Sequence, residues 1–571
     1  MSVDVAENVQ ASPEEVSPPQ RRISWPPVAL FLVLVAGYVV INAILITRYN
    51  LFDGDGPSRV AHAGFALMSR DPHLSAIGFV WNPLPSLIEI PLLPLHQWWP
   101  ELKKYGLAGA IQSAAFMAGS ALLVRRIALD RGVGRVWRYT AVAAFALHPM
   151  VVTYGGSGLS EAAEIFFVLW CIRHLLKWVE SLAVGDLALA GIALGLGYLA
   201  RYEVIVAAVG AAVLVAGVTL IRYRSQSPMS SVVLNMLIVI FPLGVAFLAW
   251  AATGWILTGE LFATLTSQYG NTSQVATSLA RDSGMLDVPH EWMLLAIRTL
   301  AMQPFTGFAV AIAVVVIVST RRIDGLIPIV TFGSILAFSL WGAYTDTTFG
   351  WFRYYMPAIP MVIVLALIWW TPTDAPISRW RMNTIPSRFG AAVLSLSLLV
   401  CVPVSAISML DKDIGNHHLQ FGLNSLLDPD TYPPHEQWYR RVGVDDRILA
   451  AYLDRQNLPD GSVLMDTFMN WGVWLASNDP KQFIIDTDFD YAAALNRPWD
   501  FGVRYLLVTN PEYNAAPDTV LTRYPTMWDD GAGIGVLVHS AQGAFGQEQW
   551  RLYRVVKPEV DEDLLKNSSR P

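Results

Sequence analysis

Residues 72–96 read PHLSAIGFVWNPLPSLIEIPLLPLH, and whether this stretch crosses a lipid bilayer decides the topology of the whole chain. It is apolar enough to do so. Its prolines Pro83, Pro85, Pro91 and Pro94 each lack an amide hydrogen, however, and interrupt the hydrogen-bond ladder of a continuous helix. The charges on either side decide. Basic residues concentrate on the cytoplasmic side of membrane proteins. The most basic short linker, RRIALDRGVGRVWR at 125–138, and the Arg21–Arg22 pair before the first apolar run therefore both face the cytoplasm, and an even number of spans must separate them. Two do, at 27–47 and 105–124, if 72–96 lies along the interface as short helices.

Working outward, a bilayer core of ~30 Å needs roughly 20 apolar residues per helix. Windows of this kind run at 27–47, 105–124, 137–154, 161–180, 187–200, 204–221, 231–257, 292–319, 324–342, 353–371 and 389–409, which predicts eleven spans. The alternation then places Arg222 and Arg224, Arg321 and Arg322, and Arg379, Arg381 and Arg388 in the cytoplasm. It places 48–104, the turn 155–160, the loop 258–291, the turn 343–352 and everything from Asp411 on the other side. After 411 the pattern changes to an amphipathic helix (Ile448, Leu449, Tyr452, Leu453) and short β-like runs at 461–466, 482–486, 503–510, 534–540 and 550–556. The expected fold class is a membrane all-α helical bundle of about 11 transmembrane helices with a C-terminal soluble α/β domain. Its parts are a disordered cytoplasmic tail at 1–25, a membrane domain at 26–410 whose first outer loop is 48–104, and an extracytoplasmic domain at 411–571. The expected location is a plasma membrane, crossed many times, with the N-terminus cytoplasmic.

Composition agrees. The 571 residues are 54% hydrophobic and 15% charged, too apolar for one soluble globule of that length, so lipid must be part of the solvent. A net charge of −7 carries no nucleic-acid footprint. Cys171 and Cys401 each sit inside an apolar run, which excludes a disulfide framework or a cysteine metal cluster. No internal repeat is evident, against transporters built from duplicated halves.

The first outer loop opens LFDGDGPSRV, with Asp53 and Asp55 one residue apart on flexible backbone. Such a pair can converge on a metal ion or supply a general base, although Asp and Gly are also ordinary turn formers. Further polar residues gather at the same level of the bundle. His148 closes the third span, Ser160 and Glu161 open the fourth with Glu164 a turn deeper, Arg201, Tyr202 and Glu203 form an outer turn, and Arg353, Tyr354 and Tyr355 open the tenth span. An ionisable group at membrane depth costs ~2.5 to 3.5 kcal/mol on insertion scales and faces a cavity or a partner. Taken singly, these residues read as snorkelling arginines and belt tyrosines. Taken together on one face, they outline a cavity with carboxylates for proton transfer and cations for phosphate.

With these residues in place, the chain resembles the GT-C superfamily of integral membrane glycosyltransferases over nearly its whole length. The resemblance rests on the order FDGDG, NPLPSLIEIPLLPL, the inner RR, HPM, GLSEAAE, GLGYLARYE and FRYYMPAIP, followed by an α/β tail. It implies an inverting transfer of a sugar from a polyprenyl-phosphate carrier to an envelope glycan, glycolipid or protein, with mannose expected and arabinofuranose or glucose as alternatives. It implies Asp53 as catalytic base and Asp55 as second acid, the candidate ligand of a divalent cation (Mg or Mn) in members that use one. Arg201 and Arg353 resemble the residues that hold the carrier's phosphate, and Glu161 one that orients sugar or acceptor. Arg59, His148, Glu161, Arg201, Glu203, Arg353 and Tyr354 make up the expected substrate-binding set. Two other readings stand beside this one: a lipid or sugar transporter or flippase, and a non-catalytic membrane protein that binds envelope glycans.

Overall fold

The computed structural model describes residues 25–222, 228–280, 292–320, 322–370, 385–512 and 516–558. Residues 1–24 of the expected tail, residues 281–291 of the expected outer loop, and Arg224, Arg321, Arg379 and Arg381 lie outside the described residues.

The first described helix is α1 (Trp25–Tyr49), 25 residues without an acid, whose most apolar window is only 22% buried, an apolar surface suited to lipid. The segment that follows stays short and broken, as its prolines dictate: α2 (Asp55–Met68), a single 3-10 turn at Leu74–Ile77, α3 (Leu84–Glu89), another 3-10 stretch at Ile90–Gln97 and α4 (Glu101–Lys104). Then come α5 (Leu107–Asp130), α6 (Arg135–Ala146), α7 (Pro149–Tyr154), α8 (Glu161–Ser181), α9 (Val184–Ala200), α10 (Val204–Arg222) and α11 (Pro228–Thr258). The loop after α11 carries α12 (Ala263–Thr266) and α13 (Asn271–Ala280). The rest of the bundle is α14 (Trp292–Met302), α15 (Thr306–Thr320), α16 (Leu326–Tyr344), α17 (Ala358–Ile368), α18 (Ile385–Leu396) and α19 (Val402–Leu410).

Eleven spans were expected; among the described residues six helices are long and apolar enough to cross a membrane, or seven if the bent pair α14–α15 counts as one. Four windows account for the difference, each for a visible reason. Pro149 splits the third window into α6 and α7. α8 has full length but carries Glu161, Glu164, Arg173, Lys177 and Glu180. α9 has only 17 residues. The tenth window is a 3-10 turn at Phe352–Tyr355 followed by the 11 residues of α17, every one of them buried. A helix so enclosed meets protein, not lipid, at its ends.

Close packing relies on small residues, as helices in lipid require. On α9, a Cβ at Gly191 would stand 2.8 Å from the Ile238 carbonyl oxygen of α11, and one at Gly195 would stand 2.9 Å from that of Pro242. The 82° bend between α14 and α15 falls at Gln303 to Phe305, where Pro304 cannot continue the ladder. A π-helical turn at Ser397–Cys401 precedes Pro403 and joins α18 to α19.

Beyond Leu410, α20 (Lys412–Gly415), α21 (His418–Phe421) and α22 (Asn424–Leu427) lie against the bundle. The tail proper starts with α23 (Val444–Asp454) and alternates β1 (Val463–Met465), α24 (Thr467–Ala476), β2 (Phe483–Ile485), α25 (Tyr491–Asn496), β3 (Tyr505–Thr509), α26 (Thr519–Arg523), α27 (Met527–Asp530), β4 (Gly535–Gln542) and β5 (Glu548–Val555). The sheet order is β2-β1-β3-β5-β4, with β2, β1 and β3 parallel and β5 and β4 antiparallel. All five strands fall on the runs read from the sequence. The tail is not a loose appendage, because its core is continuous with the first loop: Val60 and Phe65 of α2 share one cluster with Val463, Met465 and Trp474. The Phe65 and Trp474 rings meet edge-on at 4.8 Å.

Candidate functional site

The FDGDG loop turns from α1 into α2 with its backbone pressed against Ser157 and Gly158. A Cβ at Gly56 would collide with the Ser157 carbonyl, and Gly158 itself has φ +81°, which favours glycine. This contact points Asp53 and Asp55 at the turn before α17. There Arg353 spans both, Nη1 donating to Asp53 Oδ2 at 2.8 Å and Nη2 to Asp55 Oδ2 at 2.8 Å. A planar fork suits two carboxylates side by side.

The two acids are not equivalent. Asp53, with its side chain 4% exposed, has every oxygen engaged: Oδ2 also lies 3.3 Å from His417 Nε2, and Oδ1 accepts the Asp55 amide at 3.2 Å. The His417 tautomer follows from its other nitrogen, since Nδ1 accepts the Leu419 amide at 3.2 Å and the proton must therefore sit on Nε2, facing Asp53. Burial, then the charge of Arg353, pushes the His417 imidazole down to about 3, so it is a neutral donor. His418, whose ring lies tilted against it at 4.2 Å, reaches the Phe52 carbonyl at 2.9 Å. The Asp55 side chain is 28% exposed, and its Oδ1 has no protein partner among the described residues. Burial and the adjacent Asp53 charge raise its carboxyl above the usual range, against the pull of Arg353.

From Arg353 the ion pairs continue inward along the cavity wall. Arg353 Nε lies 3.4 Å from Glu161 Oε1, which is 2.7 Å from Arg201 Nη1. Arg201 in turn holds Glu164 at 3.4 Å and Glu203 through two donors. Arg353 and Arg201 each have three carboxylates within 4.0 Å. Arg59 is different: among the described residues it forms no ion pair within 4.0 Å, and it gives one side-chain hydrogen bond, from Nη2 to Ser160 Oγ at 3.3 Å, while lying 4.5 Å from the Trp81 ring. Tyr354 packs between the other two arginines, 5.3 Å from Arg201 and 5.4 Å from Arg353.

These groups line an open cavity whose wall includes Asp55, Arg59, Glu161, Arg201, Glu203, Arg353 and Tyr354, together with Trp81, Trp351, Asn271 and Gln274. A second, apolar groove adjoins it, sharing Asn82, Tyr202 and Thr264, and runs between Tyr198, Ile205, Phe247 and Trp250. The loop that closes the polar cavity is tied to the tail, since the Tyr269 hydroxyl donates to Asp466 Oδ2 at 2.6 Å and its ring stacks on Phe468 at 4.8 Å. The cavity occupies one end of the bundle. At the other end of α5 and α8, Arg131 pairs with Glu180 at 2.7 Å and Asp324 at 3.3 Å.

Of the residues expected from sequence, His148 is not brought to the cavity. It caps α7 by accepting the Met150 amide at 3.3 Å, and its other nitrogen meets the Met302 carbonyl at 3.1 Å, which makes it a buried brace between α7 and α14. Sequence reading missed His417, Trp81, Trp351, Asn271 and Gln274. A His–His pair seven residues past the last span was the available signal for the first. Among the described residues no three His, Cys, Asp or Glu side chains converge as metal ligands. With one free oxygen on Asp55 and none on Asp53, the donor set does not fit a protein-held divalent cation.

No family model matches the sequence, and no curated protein matches it. Among solved structures, the oligosaccharyltransferase of Archaeoglobus fulgidus in the apo form is similar at a TM-score of 0.40 and 11% identity, over 85% of this chain and 70% of that one. A likeness this loose carries no weight for activity, which must be read from the site.

Proposed function

We propose that this chain is a membrane glycosyltransferase that moves a sugar from a polyprenyl-phosphate carrier to a hydroxyl of an envelope acceptor, on the non-cytoplasmic face. The observation that carries the reading is the pairing of a charged cavity holding one carboxylate with a free oxygen and one arginine without an ion pair with an adjoining apolar groove. A lipid-linked sugar has the same two parts. The isoprenoid chain fits the groove between Tyr198, Ile205, Phe247 and Trp250, and the sugar phosphate fits the cavity.

Asp55 is the base in this proposal. The acceptor oxygen attacks the anomeric carbon, its proton passes to Asp55 Oδ1, and the bond from that carbon to the phosphate oxygen breaks on the opposite face, so the centre inverts. Asp53 keeps Arg353 in place and does not take the proton. Arg59 is the phosphate anchor, because Arg201 and Arg353 are each held by three carboxylates within 4.0 Å, whereas Arg59 makes no ion pair that close among the described residues and feels Asp55 and Glu161 only at longer range. Trp81, with Arg59 over its ring, leaves the opposite face for a sugar ring to stack on, and Asn271 and Gln274 offer amides for its hydroxyls. Mannose is the proposed sugar, with arabinofuranose and glucose as alternatives. No step is routed through a metal.

The test is transfer of radiolabel from undecaprenyl-phosphate mannose, and from the arabinofuranose and glucose analogues, to an envelope extract by the purified chain in nanodiscs. Label in a new glycosidic linkage, lost with Asp55→Asn, supports the proposal. Movement of the lipid-linked sugar across vesicles with no new linkage would make the chain a transporter. Glycan binding that survives Asp55→Asn, with no transfer by the unaltered chain, would make it a scaffold.

A further inference from the structure

The most anomalous buried group beside the cavity is Glu89, the last residue of α3. It is 0% exposed, and among the described residues neither carboxylate oxygen has a hydrogen-bond partner. Among the same residues Gln112 of α5, also buried, leaves both ends of its amide unpartnered, and Arg59 leaves Nε and Nη1 unpartnered. The three belong to one place. Ser86, one turn before Glu89 on the same face of α3, donates to the Arg59 carbonyl at 3.1 Å, which turns that face toward Arg59. Glu89 Oε1 lies 3.2 Å from where a Cβ on Gly109 would stand, and Gln112 follows Gly109 by one turn on the same face of α5. The missing side chain at 109 is the room the carboxyl occupies.

Polar atoms buried this deeply are costly unless satisfied, and native proteins satisfy them with each other or with bound water. We propose that Glu89 is a positioning residue for Arg59: together with Gln112 and bound water it forms a polar seat that fixes the guanidinium toward the cavity. The proposal rests on the reading of Arg59 as phosphate anchor. Burial raises the Glu89 carboxyl well above the usual range, opposed only by the charge of Arg59, which favours the protonated acid. A neutral acid can orient the guanidinium without competing with phosphate for its charge. An ionised one would act as an internal anion and weaken carrier binding.

The measurement is affinity for undecaprenyl phosphate, the bare carrier, by the full-length chain in nanodiscs, together with KM and kcat for transfer. Arg59→Ala is expected to weaken carrier binding by at least about tenfold. Glu89→Leu is expected to weaken it by about tenfold, raising the donor KM more than it lowers kcat, while Glu89→Gln, which keeps the shape and hydrogen-bonding ends of the acid, restores affinity. In the Arg59→Ala background Glu89→Leu should add nothing, because the residue acts through the arginine. An equal loss in Glu89→Gln and Glu89→Leu, or an additive loss in that background, overturns the proposal. Unchanged carrier binding in Arg59→Ala overturns the anchor reading first and the seat with it, whereas normal carrier binding without any sugar transfer strikes at the glycosyltransferase reading alone.

Discussion

In the proposed reaction the two aspartates differ because both oxygens of Asp53 already have protein contacts, whereas Asp55 Oδ1 has none among the described residues. Asp55→Asn should lower kcat by about a thousandfold with little change in donor KM, measured by the transfer assay. It should leave Tm unchanged or higher, because burial and the Asp53 charge disfavour the ionised acid that Asn replaces. The pH profile has a defined sign. A base with a raised pKa works above that pKa and is lost as pH falls through it, so the acid limb of kcat should lie above the ~3.9 of a free aspartate. His417 makes a separate case: His417→Ala removes the donor to Asp53 and should cost about tenfold in kcat, and His417→Gln, which can place an amide donor near the Nε2 position, should recover most of it. The acidic pair was visible in the sequence because its spacing is local. The division of labour was not, since it depends on Arg353 and His417, hundreds of residues away, each deciding which oxygens remain free.

Among the elements, the strands of the tail were the most legible, each a short apolar run bounded by turn residues, and β1 to β5 fall where those runs lie. Helices in the membrane were legible as apolar windows but not as spans. Pro149 and Pro304 stood in plain view, yet whether a proline kinks, splits or bends a helix by 82° is set by what packs around it. The loop bearing α12 and α13 was expected only as an outer connection. It forms a wall of the cavity through Thr264, Asn271 and Gln274, and the hydrogen bond from Tyr269 to Asp466 fastens that wall to the tail. Tyr269→Phe removes this one bond and keeps the stack on Phe468, so the donor KM should rise about threefold to tenfold with kcat nearly unchanged, as for loss of one hydrogen bond to a charged group. Gly195→Leu tests the close approach of α9 and α11. A side chain there meets the backbone around Pro242, which cannot retreat, and the variant should fail to give a monodisperse peak on size exclusion.

At the scale of the molecule, the tail and the bundle form one folding unit at the site end. Phe65 packs on Trp474, Lys103 donates to the Ser477 carbonyl at 2.5 Å, and the Asn50 amide reaches the carbonyls of Arg440 and Val442 at 2.9 Å and 2.5 Å. Truncation after Val442 should therefore abolish the folded bundle's resistance to limited proteolysis, and not merely its recognition of an acceptor. Sidedness can be tested cleanly because the two native cysteines are buried. His435→Cys places a thiol on a side chain 81% exposed at the site end, and a membrane-impermeant maleimide should label it in intact cells. Labelling only after permeabilisation would put the cavity in the cytoplasm and remove the lipid-linked donor from its reach. The Arg353 fork closes on an aspartate 300 residues earlier in the chain. A ribosome that has delivered the FDGDG loop has thus released two neighbouring acids whose counter-ion is still unmade, and the histidine that braces one of them arrives later still. Until Arg353 is made the two acids lack the cation that pairs them, so a chain interrupted before residue 353 cannot assemble the fork at all.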